Sequence, residues 1–248
     1  MSGSFAFSAL DEERFGIRSA RADVASLEDL DVVEGRCRNG CVVFSVVRVP
    51  TSSLVVAQEM ERRGYFLTDT LLYLDRDLTK GDLPELTGRT VVRPIKEGDA
   101  GPVREVSALA FAGYFGHYHA DPKFSKEDCD DIYADWAYRG CLDRRVADQV
   151  LVAETDGDVI GFCLIKVLED EVGDGTLYGV HPSYRGRGAY RDLVVAAMKW
   201  ARDNRCVRMV ESTQVTNLVS QKVWARLGFE PFSSYYTFHR WFDEQRGA

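Results

Sequence analysis

The residue pattern predicts an α/β protein built from two units, and three observations carry the prediction. β-branched runs alternate with segments of helical apolar spacing along most of the 248 residues. Two apolar runs, residues 146–154 and 159–168, flank Thr155-Asp156-Gly157-Asp158, a strong hairpin signal. A short strand, residues 176–180, breaks at His181-Pro182 and passes through a turn dense in Arg and Gly into a helix.

In chain order, residues 1–78 read as a small α/β unit. Residues 41–49 (CVVFSVVRV) are a β-branched run, the pattern of a buried strand. Residues 54–63 carry helical apolar spacing, end at Gly64 and lead through Tyr65-Phe66 to a strand over 70–74. Residues 218–227, then Gly228-Phe229, then a strand over 235–241 follow the same grammar. The N-terminal unit is therefore expected to be a degenerate echo of the C-terminal half. Chance likeness of two common helix–Gly–strand units is the alternative. Residues 79–88, polar and containing Gly81, Pro84 and Gly88, are the expected linker.

The second unit, 89–248, opens with a strand over 90–93 and a helix over 99–112 with Asp99 as N-cap. An aromatic, His-rich loop, GYFGHYHADPKF at 113–124, precedes another helix over 126–139. The hairpin, the strand with its Gly-rich turn, and the helix after it come next. In that helix Val194, Met198 and Trp200 are assigned to the core. A strand over 207–212, a helix from Asn217 and a last strand complete the chain.

Composition narrows the function. Apolar residues make up 45% and charged residues 28%, as in globular proteins. The net charge of −8 argues against nucleic-acid binding, which needs a basic face. No apolar run approaches the roughly 20 residues of a membrane span. The N-terminal MSGSFAFSALDEERF has neither a basic n-region nor a signal h-region, so a cytoplasmic protein is expected. Six cysteines lie without paired spacing, and Cys37-x3-Cys41 has no second Cys/His pair to complete a site. Reduced thiols and no metal are expected.

The turn at Tyr184-Arg185-Gly186-Arg187-Gly188-Ala189 suits a phosphate or pyrophosphate. Backbone N–H groups at a helix N-terminus are free, and the helix dipole adds positive potential. Gly186 and Gly188 let a ligand approach the backbone, while Arg185 and Arg187 supply charge. There is no G-x-x-x-x-G-K-[ST], and the position that would complete G-x-G-x-x-G is Arg191, so neither familiar nucleotide cradle fits.

The turn approximates R-x-x-G-x-G/A, follows V-x-P and precedes a Leu/Val-rich helix. It resembles the acetyl-CoA pyrophosphate loop of the GCN5-related N-acetyltransferases (GNAT). Thr213-Gln214-x-x-Asn217, seven further residues to Trp224, and Leu227-Gly228-Phe229 resemble the late motif of that family. The segments RFGIRSAR and SALAFAGYFGHYHADPKF resemble nucleotide-sugar N-acetyltransferases of the TDP-fucosamine acetyltransferase type. The resemblance implies the GNAT fold from about residue 88 onward, with a mixed, splayed central sheet and a degenerate GNAT-like domain before it. It further implies acetyl-CoA as co-substrate and a nucleotide-linked amino sugar as acceptor. By the same resemblance the splay lies between residues 159–168 and 176–180. Other amines, a protein N-terminus and a non-catalytic acyl-CoA-binding module stay open as alternatives. A homodimer is compatible with this reading.

Candidate residues follow from these matches. Tyr178, Gly179, Val180, Arg185, Gly186, Arg187, Gly188, Ala189, Tyr190 and Asn217 are expected at the cofactor. Backbone N–H groups near Ile165 or Lys166, or at Tyr178–Val180, are expected to polarise the acetyl carbonyl. The family places a proton-donating Tyr where this chain has Trp224, and an indole cannot transfer a proton at physiological pH. Tyr190, Tyr235 and Tyr236 are the substitutes considered. His119 is the first candidate base, beside His117, and Glu211 is the second, acting through water; a structural ion pair is its alternative. Tyr114, His117, Tyr118, Asp121, Lys123 and Gln214 are expected at the acceptor, although a packed loop would also explain the first five. Asn217 can instead cap its helix.

Overall fold

The computed structural model describes residues 4–242; residues 1–3 and 243–248, which fall in the two expected units, lie outside the described residues. The first elements are β1 (Ser4–Phe7), α1 (Ala9–Phe15), β2 (Ser19–Asp23), α2 (Leu27–Asn39), β3 (Phe44–Pro50), α3 (Leu54–Arg62) and β4 (Phe66–Asp77). After them come β5 (Val91–Pro94), α4 (Ala100–Ala110), α5 (Lys126–Leu142), β6 (Gln149–Thr155) and β7 (Asp158–Leu168). The chain closes with β8 (Val172–Val180), α6 (Ala189–Asp203), β9 (Arg208–Gln214), α7 (Leu218–Arg226) and β10 (Glu230–Trp241). These form two compact units that are discontinuous in sequence. One holds described residues 4–72, 115–125 and 233–242, the other 73–114 and 126–232.

In the first unit β2 runs parallel to β3, with β1 and β10 antiparallel at either side. The β-branched run of β3 alternates between two faces. Val47 and Val49, with Ala20, Ala22 and Phe238, pack on Leu30, Val33 and Cys37 of α2 and on Val56 and Met60 of α3. Helix α2 starts at a capping box: the Ser26 hydroxyl accepts from the Asp29 N–H at 3.1 Å, and the Asp29 carboxylate accepts from the Ser26 N–H at 3.1 Å. Phe44, His239 and Trp241 occupy the other face, where Phe124 packs edge-on to Phe44 at 5.0 Å.

In the second unit the sheet order is β4-β9-β8-β7-β6-β5. The pairs β5–β6, β6–β7 and β7–β8 are antiparallel, and β8 and β9 are parallel. The β6–β7 turn places Asp156 at φ 53° and Gly157 at φ 90°, the left-handed pair that an Asp-Gly hairpin turn requires. One face of this sheet buries Phe162, Leu164 and Leu177 beneath Val103 and Val106 of α4 and Ala137 of α5. The other is covered by α6, whose Leu193, Val194, Ala197 and Met198 are fully buried; Trp200 is only half-buried. Side-chain-free backbone lets α6 close on the sheet: a Cβ on Gly161 would lie 3.2 Å from Leu193, and one on Gly173 3.0 Å from Ala201.

The segments α3–Gly64–β4 and α7–Gly228–β10 match element by element. Each has a helix of 9 residues, a glycine in the left-handed region (φ 84° and 82°) and a strand of 12 residues.

The splay lies one strand away from its expected place. Strands β7 and β8 stay paired from Leu168↔Val172 to Gly161↔Val180. Pairing of β8 with β9 instead stops at Gly175↔Glu211, after starting at Val172↔Arg208. The register of β7 on β8 shifts between Leu164↔Leu177 and Ile165↔Gly175, which leaves Thr176 as an extra residue. Such a bulge bends its strand, and here it falls where β8 leaves β9.

Candidate active site

Two features of the second unit converge on the end of β8. After Val180 the chain makes a 3₁₀ turn, Pro182–Tyr184, reaches Gly186 at φ 75°, and enters α6 through Gly188 at φ 98°. Only glycine adopts these conformations readily, so the turn requires its glycines for backbone shape. Gly188 is the N-cap of α6 and provides no side-chain acceptor, which leaves the first-turn amides of a 15-residue helix without an internal partner. The Arg185 guanidinium donates to the Ala110 carbonyl at 2.7 Å, and that of Arg187 lies 5.3 Å from the Tyr184 ring.

Asp192, fully buried in the first turn of α6, fixes this cradle from behind. It accepts from the Thr87 N–H at 3.0 Å, from the Thr87 hydroxyl, and from Arg191 at 2.9 Å. Arg191 also donates to the Glu85 carbonyl at 2.9 Å, and Lys199 pairs with the Glu85 carboxylate at 2.9 Å. The polar stretch at 79–88 thus packs on α6. Sequence reasoning passed over Asp192; an acidic residue in a helix first turn is a legible signal, but its partner lies 105 positions away.

The second feature is the opening between β8 and β9. From Thr176 to Val180, β8 has no ladder partner on its β9 side. At the root of the opening the Tyr178 hydroxyl donates to Glu211 Oε1 at 2.6 Å. Glu211 is completely buried, and its Oε2 meets no hydrogen-bond partner. Burial raises the Glu211 carboxyl well above the usual carboxylate range; the Tyr178 hydrogen bond opposes this and the Asp174 charge adds to it. Gly175 makes the pair possible, since a Cβ there would stand 2.5 and 2.6 Å from the two carboxyl oxygens. The Tyr190 ring meets Tyr178 at 5.5 Å in an edge arrangement. Burial and then the Glu211 charge push both phenols well above their ordinary range.

Helix α7 closes the cluster. Asn217 caps it by accepting from the Ser220 N–H at 3.3 Å, while its amide donates to Thr213 Oγ1 at 2.9 Å. Asn217 therefore ties the end of β9 to α7. The Gln214 carbonyl accepts from Gln221 Nε2 at 3.2 Å and from the Asn217 N–H at 2.9 Å. Trp224 is 2% exposed, and its indole N–H finds no hydrogen-bond partner.

Tyr114 is in the second unit, where it packs edge-on to Phe111 at 5.4 Å. The rest of the His-rich loop, residues 115–125, is part of the first unit. Asp121, fully buried there, accepts from His239 Nδ1 at 2.8 Å, from the Trp241 indole at 2.9 Å and from the Lys123 N–H at 3.0 Å. His239 Nε2 lies 2.8 Å from His117 Nδ1. A carboxylate only accepts, so neutral His239 carries its proton on Nδ1 and His117 donates from Nδ1. The Tyr118 hydroxyl donates to Asp11 at 2.6 Å, and Lys123 lies 4.8 Å from the Trp241 ring centre. His119 Nδ1 accepts from the Gly116 N–H at 3.1 Å, so its lone pair on that nitrogen is engaged. Neutral His117, donating from Nδ1, keeps its lone pair on Nε2, but burial lowers its affinity for a proton. Among the described residues no cluster of His, Cys, Asp and Glu could hold a metal.

A sequence model of the acetyltransferase (GNAT) family matches residues 112–229, across the opening, the cradle and α7. That stretch of the chain carries the family's acetyltransferase domain. Among curated proteins, this chain is 26% identical to the spore coat polysaccharide biosynthesis protein SpsD of Bacillus subtilis, over 80% of this chain and 66% of SpsD. It is 27% identical to a mycothiol acetyltransferase of Thermomonospora curvata, over 74% of this chain and 58% of the other. It is 36% identical to an aminoglycoside N(6')-acetyltransferase type 1 of Salmonella typhimurium over 32% of this chain and 60% of that one. The matches thus span 58–66% of these relatives' own lengths. Among solved structures, a GCN5-related N-acetyltransferase from Sphaerobacter thermophilus superposes with a TM-score of 0.65 at 17% identity, covering 97% of this chain and 76% of the other. A tandem GNAT protein from the clavulanic acid biosynthesis pathway gives 0.60 at 15% identity, covering 91% and 76%. At these identities the likeness is one of fold.

Proposed function

We propose that this chain transfers the acetyl group of acetyl-CoA to the amine of a nucleotide-linked amino-deoxy sugar, with a dTDP sugar as the first acceptor to test. The carrying observation is the meeting of an open β8 edge with a glycine-capped helix N-terminus. In this reading the amides of Arg187–Tyr190 receive the pyrophosphate. The free edge at Thr176–Val180 pairs with the amide-bearing pantetheine arm as an added strand would. A backbone N–H at Tyr178–Val180 polarises the acetyl carbonyl, a donor worth about 3 kcal/mol in enzymes that use one. For the acceptor, support comes from the likeness of the GYFGHYHADPKF loop to nucleotide-sugar acetyltransferases and from SpsD, whose name places it in polysaccharide biosynthesis.

A second reading, transfer to another small amine, draws on the relatives named for aminoglycosides and mycothiol. Thiol release from acetyl-CoA separates them. A dTDP-linked 4-amino-6-deoxyhexose should raise release about 100-fold or more over the rate without acceptor. A rise with an aminoglycoside alone would favour the second reading. No rise with either, while CoA still binds, would point to a non-catalytic acyl-CoA-binding module.

A further inference from the structure

Acyl transfer from a thioester needs a proton for the departing sulfur, and the opening between β8 and β9 has few groups to give one. Trp224 holds an indole, which does not release its proton at physiological pH. Tyr178 already donates its hydroxyl hydrogen to Glu211. Cys163 sits opposite Tyr178 in the β7–β8 ladder and is fully buried. Glu211 differs from all of them. One of its oxygens is held by Tyr178 and the other is buried and unpartnered, on the residue that forms the last β8–β9 pair before the opening. An ionised carboxylate with a bare buried oxygen would be costly; a protonated one carries its hydrogen on that oxygen as a donor awaiting an acceptor.

We propose that Glu211 is the general acid of this acetyltransferase, its Oε2 hydrogen passing to the thiolate of the departing CoA while Tyr178 holds Oε1. This rests on the acetyl-transfer reading of the opening and reverses the role expected of Glu211 from sequence. The acceptor nitrogen forms its bond to the acetyl carbon and the carbon–sulfur bond breaks. The sulfur takes the Oε2 proton to become the free thiol, and Glu211 is left as a carboxylate. The Tyr178 O–H strengthens its bond to that carboxylate, and the proton lost by the acetylated nitrogen returns through solvent to restore Glu211. Tyr178 is a positioning residue in this scheme, and Gly175 is the backbone position that gives both groups room. The titratable groups facing Glu211 are Asp174 and Tyr178 from β8, Cys163 from β7 and Tyr190 from α6. The phenols and the thiol among them are pushed upward and hold their protons more tightly than usual.

The test has an arm that needs no substrate. Infrared difference spectra of the free protein at neutral pH should show a protonated carboxylic C=O band that disappears in Glu211→Gln and shifts in Tyr178→Phe. With acetyl-CoA and the dTDP amino sugar, kcat in Glu211→Gln should fall about 100-fold or more while CoA affinity stays within about twofold. The wild-type kcat should decline as pH rises through the carboxyl's titration, and that limb should be absent in the variant. An ionised carboxylate in the free protein at neutral pH would overturn the proposal. So would an unchanged kcat in a folded Glu211→Gln, or a wild-type rate that rises through the same titration, as a base requires. If no amine accepts acetyl, the functional reading fails, while the infrared arm still reads the state of Glu211.

Discussion

Trp224 stands where the resembled family has a proton-donating Tyr, and its indole cannot release a proton at physiological pH. It is the buried residue of α7, and its N–H meets no partner within hydrogen-bond geometry, although it lies close enough to the Tyr190 phenol to influence it. Trp224→Phe should leave kcat within about threefold, at a stability cost of about 1–2 kcal/mol for the smaller ring. Trp224→Tyr supplies a hydroxyl and should keep or raise kcat. A steady-state comparison of both variants with a thermal melt checks this; a large loss in Trp224→Phe with CoA binding intact would give the indole a specific role. Gln214 and Asn217 are legible in the sequence as a motif, yet the structure shows that Asn217 also joins β9 to α7 through Thr213.

At the scale of elements, α6 and the turn before it bind through their backbone. Gly188 sits at φ 98° and no atom crowds its missing Cβ closer than 3.6 Å, so conformation, more than space, demands glycine. Gly188→Val would force a β-branched residue into the left-handed region at about 1–2 kcal/mol and place a side chain beside the free amides. CoA affinity measured by calorimetry should fall about tenfold or more, and the melting temperature should drop with it. Unchanged CoA affinity in a folded variant would refute the cradle. The glycines, the hairpin at Asp156-Gly157 and the helix–Gly–strand segments were all legible, because positive φ is a short-range steric matter. Helix α2 was missed although Ser26-x-x-Asp29 before Leu30, Val33 and Cys37 is a readable capping box.

At the scale of the whole molecule, the first unit carries an acid-sensitive network. His117 and His239 are both held below the ordinary histidine value of 6.5; burial is the main cause, and for His239 the Asp121 carboxylate offsets part of it. Asp121 is lowered on balance, burial working against the charge and the His239 and Trp241 donors outweighing it. The remaining charges on the histidines are Arg21, Arg48, His119 and Asp11. Below pH 6.5 the unfolded histidines take up protons that the folded ones refuse, so stability is present above that value and is lost as pH falls toward the lowered native values. Each such proton is worth about 1.4 kcal/mol per pH unit in that window, and the raised carboxyl of Glu211, which keeps its proton in the folded state and loses it on unfolding, works against one of the two, so the decline is the net of these. Thermal unfolding followed from about pH 7.5 to 5 should show this decline, and His239→Gln should flatten it. A wild-type profile as flat as the variant's would remove the network as its source.

The sequence by itself determined what neighbours along the chain decide: the phosphate-cradling turn, the hairpin, the alternation of strand and helix, and through their order the family's fold. Each depends on a few consecutive φ and ψ angles or on apolar periodicity, which a linear reading contains. The tertiary structure alone decided which distant groups meet. His117 and His239 are 122 positions apart, Thr87 and Asp192 are 105, and Tyr178 and Glu211 are 33. It also placed the opening between β8 and β9, because one extra residue at Thr176 shifts the register and turns every later side chain to the other face. That shift is set by how the strands pair and leaves no mark in composition or spacing, so it brought Tyr178 to Glu211 where the sequence offered only two unconnected candidates.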